Sequence, residues 1–423
     1  MHLGLSERGG GVGLTASEGV ELTLISITGR DRGGLTSALT EIMARYAVRV
    51  LDFGQAVIHD NLAWGMLIEV PAAPAASALY RDLVFEAHAL DLNIRFSPIS
   101  EQDYDLWVEG KGQPRHIITL LGRQITAEHI ARVSRVVADN ALNIERIERL
   151  SGRVDRKVAL GARRAAIELS VRGSVSDLGH LHESFLRIAQ ETDLDVAIQE
   201  DDVFRRNRRL VCFDMDSTLI AAEVIDELAS VAGVGAEVSN LTARAMNGEL
   251  DFEESFRSRL RLLEGLEESA LAAVAERIAL TEGAERLIAN LKRLGYKVAI
   301  LSGGFTYFAE RLKAKLGVDY VHAHELVMRD GKLTGEIVGE VITGEVKAAR
   351  LKEIAAAEGL GLEQVIAVGD GANDLRMLRI AGLGIAFHAK PVVTSQARHA
   401  IATLGLDGIL YLLGMRDRDI EEI

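Results

Sequence analysis

Three short apolar runs in the second half of this 423-residue sequence stop abruptly in residues that can do chemistry. Leu210-Val211-Cys212-Phe213 runs into Asp214-Met215-Asp216-Ser217-Thr218, and Val298-Ala299-Ile300-Leu301 into Ser302-Gly303-Gly304. Val365-Ile366-Ala367-Val368 runs into Gly369-Asp370-Gly371-Ala372-Asn373-Asp374. Asp214 and Asp216 are two apart, so an extended segment projects both to the same side. Adding Asp370 makes three carboxylates, which repel one another unless a cation lies among them. Mg²⁺ suits a few carboxylate oxygens, a phosphate and retained waters. One carboxylate can then attack phosphorus, while a second gives a proton to the leaving oxygen and later takes one from water. Ser302 and the amides of Gly303 and Gly304 can hold phosphoryl oxygens. Lys347, in Gly344-Glu345-Val346-Lys347, is the candidate cation to balance that charge.

Such clusters converge only if the runs are strands of one open parallel sheet, where ligands bind outside the carboxyl ends. Fully apolar strands alternating with helices carry that pattern from residue 207 onward, so an α/β, doubly wound parallel sheet is expected over 207–423. Asp214 and Ser302 are 88 residues apart, far more than one crossover helix needs. The surplus, about 223–282, is helical in pattern and should form an inserted cap.

The first half reads differently. After a Gly-rich stretch, expected to be a flexible tail over 1–20, the order β-α-β-β-α-β appears over 21–98 and again over 114–200. Gly29-Arg30 and Gly122-Arg123 lie 93 residues apart, and Ala47 and Ala141 lie 94 apart. A repeat of that length and order predicts two ferredoxin-like α+β domains. The polar run Gln199–Arg209 is expected to be a linker between the halves.

Asp-Met-Asp-Ser-Thr at 214–218, Ser302-Gly303-Gly304-Phe305, Lys347 and Gly369-Asp370-Gly371-Ala372-Asn373-Asp374 resemble the four ordered motifs of the haloacid dehalogenase-like hydrolases. More narrowly, residues 208–415 resemble the phosphoserine phosphatases of that superfamily, with Glu223 in AAEVIDELA and FEESFRSRLRLL from Phe252 as further matches. The two preceding domains resemble ACT domains through the Gly29–Leu35 turn and the element order. The resemblance implies Mg²⁺-dependent hydrolysis of O-phosphoserine, the last step of serine biosynthesis. Asp214 would be the nucleophile and Asp216 the general acid/base. Mg²⁺ would be held by Asp214, Asp370 and the backbone carbonyl of Asp216, with Asp374 close behind. Ser302, Gly303 and Lys347 would hold the phosphoryl group, with Asn373 beside the substrate. In the cap, Glu223 would meet the substrate ammonium and Arg259 its carboxylate, and these opposite charges suit a zwitterion. A serine effector is expected at Asp31, Gly33 and Gly34, where a turn meets a helix N-terminus. ACT pairing makes a homodimer the expected assembly.

Composition narrows the field. With 48 basic against 62 acidic residues the net charge is −14, which argues against nucleic-acid or anionic-membrane partners. One cysteine, Cys212, excludes a disulfide framework and fits a reducing cytoplasm. No signal peptide is expected, since Glu7 and Arg8 interrupt the first ten residues. Cys212 lies inside an apolar run with no arginine six residues on, so it reads as core. The spaced pairs His180/His182 and His322/His324 read as surface or core histidines. Two alternatives stay open: the same machinery acting on another phosphomonoester or passing the phosphoryl group to an alcohol, and an amino-acid-sensing regulator with an inactive hydrolase domain.

Overall fold

The computed structural model describes residues 20–71, 74–153, 157–246 and 249–420, so the tail expected over 1–20 lies outside it except for Val20. The chain divides into two units, Met1–Gly112 and Gln113–Ile423.

In the first unit the strand Val20–Arg30 buries Thr23, Ile25 and Ile27, every second residue, because only one face of its sheet is covered. The sheet is antiparallel, ordered Arg49–Ile58, Asn61–Pro71, Val20–Arg30, Leu92–Ile99. Two helices cover it, Leu35–Arg45 through Leu35, Leu39, Ile42 and Met43, and Ala75–Ala89 through Ala76, Leu79, Leu83 and Ala87. Both sets recur at three- and four-residue intervals, one stripe of a helix each. A helix unforeseen in the sequence, Glu101–Glu109, follows, capped by the Ser100 hydroxyl accepting from the Asp103 amide.

The second unit opens with the same sheet order, Asn143–Arg149, Ala165–Arg172, Arg115–Gly122, Asp195–Glu200, with helices Ala127–Asp139 and Leu178–Glu191. The internal repeat is visible in the backbone. Ala47 and Ala141, the two alanines at matching positions, both take left-handed conformations (φ 52° and 55°) just past a helix end.

The polar run Gln199–Arg209 is not a solvated linker. Arg205 is 2% exposed and donates through Nη2 to Glu168, and the Gln199 amide donates to the Leu412 carbonyl at 2.9 Å. Composition marks such a run as hydrophilic because the acceptors that permit its burial lie far away in sequence.

Beyond it a seven-stranded sheet is ordered Lys332–Val338, Tyr320–Arg329, Lys297–Phe305, Leu210–Phe213, Val365–Gly369, Leu383–Phe387, His399–Ile401. All neighbours are parallel except the hairpin at one edge, turned by Asp330 and Gly331, both with positive φ. Leu210–Phe213 is central and wholly buried, which is why all four residues are apolar. The cap consists of helices Val224–Ala232, Gly235–Met246, Phe252–Arg261 and Glu268–Arg277. Its two connections form a small antiparallel ladder. The Thr281 amide donates to the Leu219 carbonyl, and the Ala221 amide to the Ala279 carbonyl, both at 3.0 Å. Among the described residues no helix is long and apolar enough to cross a membrane.

Candidate active site

The strands Leu210–Phe213, Lys297–Phe305 and Val365–Gly369 are adjacent and parallel, so their carboxyl ends deliver their polar clusters to one place. Between them and the cap lies a cavity of about 460 Å³ lined by Asp214, Asp216, Glu223, Arg259, Gly303, Gly304, Asp370 and Asn373, among others. Eight residues separated by up to 159 positions thus face one volume.

Asp214 follows the central strand directly. Its Oδ1 accepts from the Met215 amide at 2.7 Å and lies 3.0 Å from Lys347 Nζ. Among the described residues Oδ2 has no hydrogen-bond partner. The strand ends at Phe213 and the backbone leaves the extended conformation at Met215, so Asp216 reaches the same cavity at the head of a tight turn that continues through left-handed Ser217 (φ 54°). Its carboxylate accepts from the Val224 amide at 3.0 Å, the first helical residue of the cap. Burial, then the nearby charges of Glu223 and Asp214, raise the Asp216 pKa well above the usual carboxylate range.

Lys347 is wholly buried on the helix Gly344–Ala357, 2.7 Å from Asp374 and 3.0 Å from Asp214. Burial works against its charge, yet these two carboxylates hold its pKa above the ordinary lysine value. Lys347 therefore lies beneath the cavity and does not line it. Ser302 is likewise fully buried, its hydroxyl accepting from the Gly304 amide at 2.8 Å, so that amide is already engaged. A side chain at 304 would collide with Asp216, Met215 and Ser302, which requires glycine there.

Carboxylate oxygens of Asp214, Asp370 and Asp374 lie within 4.8 Å of one another, a set that can hold a metal ion. Burial and the charge of Asp214 push the Asp370 pKa up to about 6, and the same two causes raise Asp374. Mutual repulsion of this kind is what a bound cation relieves. Asp374 accepts from Lys347 at 2.7 Å and from the Gly371 amide at 3.0 Å.

On the cap side Glu223 accepts from the Ser217 hydroxyl at 2.9 Å. Arg259 is largely buried, reaches Thr242 at 3.5 Å, and leaves its Nε without a partner. Burial lowers its pKa, while the charges of Asp226 and Glu223 work the other way. Lys390 also lines the cavity, and sequence reasoning missed it. The signal was there: Leu383–Phe387 is a fourth short apolar parallel strand, and Lys390 follows its carboxyl end. His324, read as an ordinary buried histidine, is in contact with the site's frame. Its Nε2 accepts from the Ile342 amide at 2.7 Å, so Nδ1 carries the proton and donates to the Gly303 carbonyl at 2.9 Å.

Comparisons with known proteins agree with this geometry. Residues 211–379 match the model for haloacid dehalogenase-like hydrolases, and residues 21–97 and 114–199 each match an ACT domain model. A phosphoserine phosphatase of Streptomyces coelicolor is 39% identical over 403 residues, covering 95% of this chain and 94% of its own. Among solved structures, a hydrolase of Salmonella enterica serovar Typhi superposes with a TM-score of 0.60 at 30% identity, over 70% of this chain and 98% of that one. A probable phosphoserine phosphatase from Vibrio cholerae, unliganded, gives 0.56 at 36% identity, over 70% of this chain and 86% of that one.

Proposed function

This chain belongs to the phosphoserine phosphatase family, and we propose that it hydrolyses O-phosphoserine to serine and phosphate through an aspartyl-phosphate on Asp214. The observation that carries the mechanism is the meeting of a buried, lysine-paired Asp214 and of Asp216, its pKa raised, at one cavity. The carboxylate Oδ2 of Asp214 attacks phosphorus as the bond from phosphorus to the serine oxygen breaks. Asp216 gives its proton to that oxygen, and serine leaves. Water then attacks the phosphorus of the acyl phosphate while Asp216, now a carboxylate, takes the water proton; phosphate departs and Asp214 is restored.

Asp214, Asp370 and Asp374 offer the hard oxygen ligands that Mg²⁺ prefers, and the backbone carbonyl of Asp216 is available as a further ligand. When bound, such an ion neutralises phosphoryl charge and polarises the phosphorus centre. Lys347 pairs with Asp214 at 3.0 Å, and Gly303, which lines the cavity, offers its amide to a phosphoryl oxygen. Asn373 lines the wall beside it. The inactive-regulator alternative requires loss of Asp214, Asp216, Lys347 or Asp370, and all four are in place.

The cap sets the substrate. Arg259, with unpaired donors, fits the serine carboxylate, and Glu223 fits the ammonium. Arg259→Ala is expected to lower kcat/KM for phosphoserine by at least about 30-fold, since a buried charged hydrogen bond that loses its partner costs about 2 kcal/mol or more. An aryl phosphate without a carboxylate should lose no more than about threefold. Equal losses on both substrates would place Arg259 on the phosphoryl group or in the scaffold.

The ACT domains bring regulation. The turn carrying Asp31, Gly33 and Gly34 lines a cavity of about 360 Å³ at the start of the helix Leu35–Arg45, with Gly34 left-handed (φ 92°). Free helical amides and Asp31 suit the carboxylate and ammonium of serine. Serine is expected to alter turnover, and Asp31→Ala to weaken that response at least about tenfold in serine concentration. An unchanged response in Asp31→Ala means product inhibition at the active site. Val50, Phe53, Val57 and Ile58 are exposed on the edge strand Arg49–Ile58, which supports a homodimer. Light scattering that finds only the 45.9 kDa species at micromolar concentration counts against it.

A further inference from the structure

The second ACT domain touches the hydrolase at a place that matters for the cap. The return connection of the cap, Ala279–Gly283, is held on one side by the ladder to Leu219–Ala221. On the other side the Leu406 amide donates to the Glu282 carbonyl at 2.8 Å. A side chain at Gly405 would meet that same carbonyl at 2.5 Å, and one at Gly283 would meet Asp407, so the connection is wedged on this side. The Glu282 side chain leaves the wedge and is taken by Arg123 in a fork, Nη1 to Oε1 at 2.8 Å and Nη2 to Oε2 at 2.7 Å. Each group biases the other toward its charged form: the Glu282 pKa is lowered and that of Arg123 raised.

Arg123 occupies, in the second domain, the position that Arg30 occupies in the first, by the 93-residue repeat. In the first domain the turn after it borders an open cavity. In the second, the arginine at the head of the turn is spent on a carboxylate of the phosphatase itself. The path from there to the reacting groups is short and continuous. Glu282 follows Thr281, whose amide holds the Leu219 carbonyl; the chain from Leu219 then runs to Glu223, which accepts from Ser217, and to Val224, whose amide holds Asp216.

We propose that Arg123 is a positioning residue for the phosphatase, gripping the base of the cap through Glu282 and so setting where Glu223 and Arg259 meet the substrate. The grip is bidentate, which adds geometric specificity that a single contact lacks. It is also partly solvated, with Glu282 59% exposed, so its energetic effect is modest. This inference rests on the phosphatase reading of the cavity. Turnover of phosphoserine by the wild-type chain tests that reading alone, and the comparison among variants tests only the grip.

The test is a double-mutant cycle on the full chain with Arg123→Ala, Glu282→Ala and the pair, measuring kcat and KM for phosphoserine and for an aryl phosphate. Each single variant is expected to raise the phosphoserine KM about fivefold with kcat within about twofold, the scale of one exposed fork. The double variant should be no worse than either single one, because both break the same contact. Arg123→Lys should lie between wild type and alanine, and 1 M salt should shrink the difference between wild type and Arg123→Ala. Thermal unfolding is followed in parallel, and Arg123→Gln, which keeps most of the stem, replaces alanine if the latter lowers Tm. An unchanged KM in either single variant, multiplied effects in the double, or equal losses on the aryl phosphate would each overturn the proposal.

Discussion

Asp214→Asn is expected to turn over phosphoserine at least about 10⁴-fold more slowly than the wild type while remaining folded. The amide keeps the shape of the side chain and can still accept from the Met215 amide through its oxygen. It removes the negative charge that attacks phosphorus, so no acyl phosphate forms. The fold tolerates the change because Lys347 retains its ion pair with Asp374 at 2.7 Å. Phosphate release gives the rate, and acid quenching of a reaction with labelled phosphoserine shows whether label is covalently attached. Turnover within about tenfold of wild type, or label still bound to the variant, contradicts the assignment.

Asp216→Asn is expected to have the second largest effect, about 10³-fold on phosphoserine turnover, the range that a positioned general acid and base supplies. The residue lines the cavity, and its raised pKa comes from desolvation there and from the charges of Glu223 and Asp214. The asparagine side chain cannot deliver a proton to the serine oxygen or take one from water. An aryl phosphate with an acidic leaving group needs no proton in the first step. With that substrate the variant should therefore release a stoichiometric burst of phenol and then stall as phosphoenzyme. Wild-type turnover of both substrates would remove Asp216 from proton transfer.

How much of this was legible beforehand depends on which contacts are local. The central strand announced itself, because Leu210–Phe213 is apolar on both faces and stops at Asp214; burial on two sides leaves no other pattern. The same logic placed Ser302 and Asp370 at neighbouring strand ends. The repeat was legible through the spacing of Gly29 and Gly122 and of Ala47 and Ala141, whose shared left-handed backbone explains the coincidence. Contacts between distant segments were not legible. Arg205 reads as a linker charge, since nothing near it in sequence announces Glu168 as a partner. Lys390 is a single cation after a strand, and only the sheet order places that strand two positions from Asp214. Asp374, expected close behind the metal position, stands in one cluster with Asp214 and Asp370 because the turn after Gly369 folds back on itself. His324 donates to Gly303 across 21 residues, a pairing set by two adjacent parallel strands and invisible to spacing alone.

The ACT domains extend the same argument to regulation. A first-domain turn open to a small ligand and a second-domain arginine closed on Glu282 give the two copies different work from one element order.

The most direct measurement is phosphate release from O-phosphoserine by the purified full chain, with millimolar Mg²⁺ and again with excess EDTA, run beside a panel of phosphorylated sugars. Saturable release from phosphoserine, abolished by EDTA, restored by Mg²⁺ and at least about tenfold faster in kcat/KM than from any sugar phosphate, is the predicted result. No release from phosphoserine by the folded protein, or a sugar phosphate preferred over it, would contradict the account.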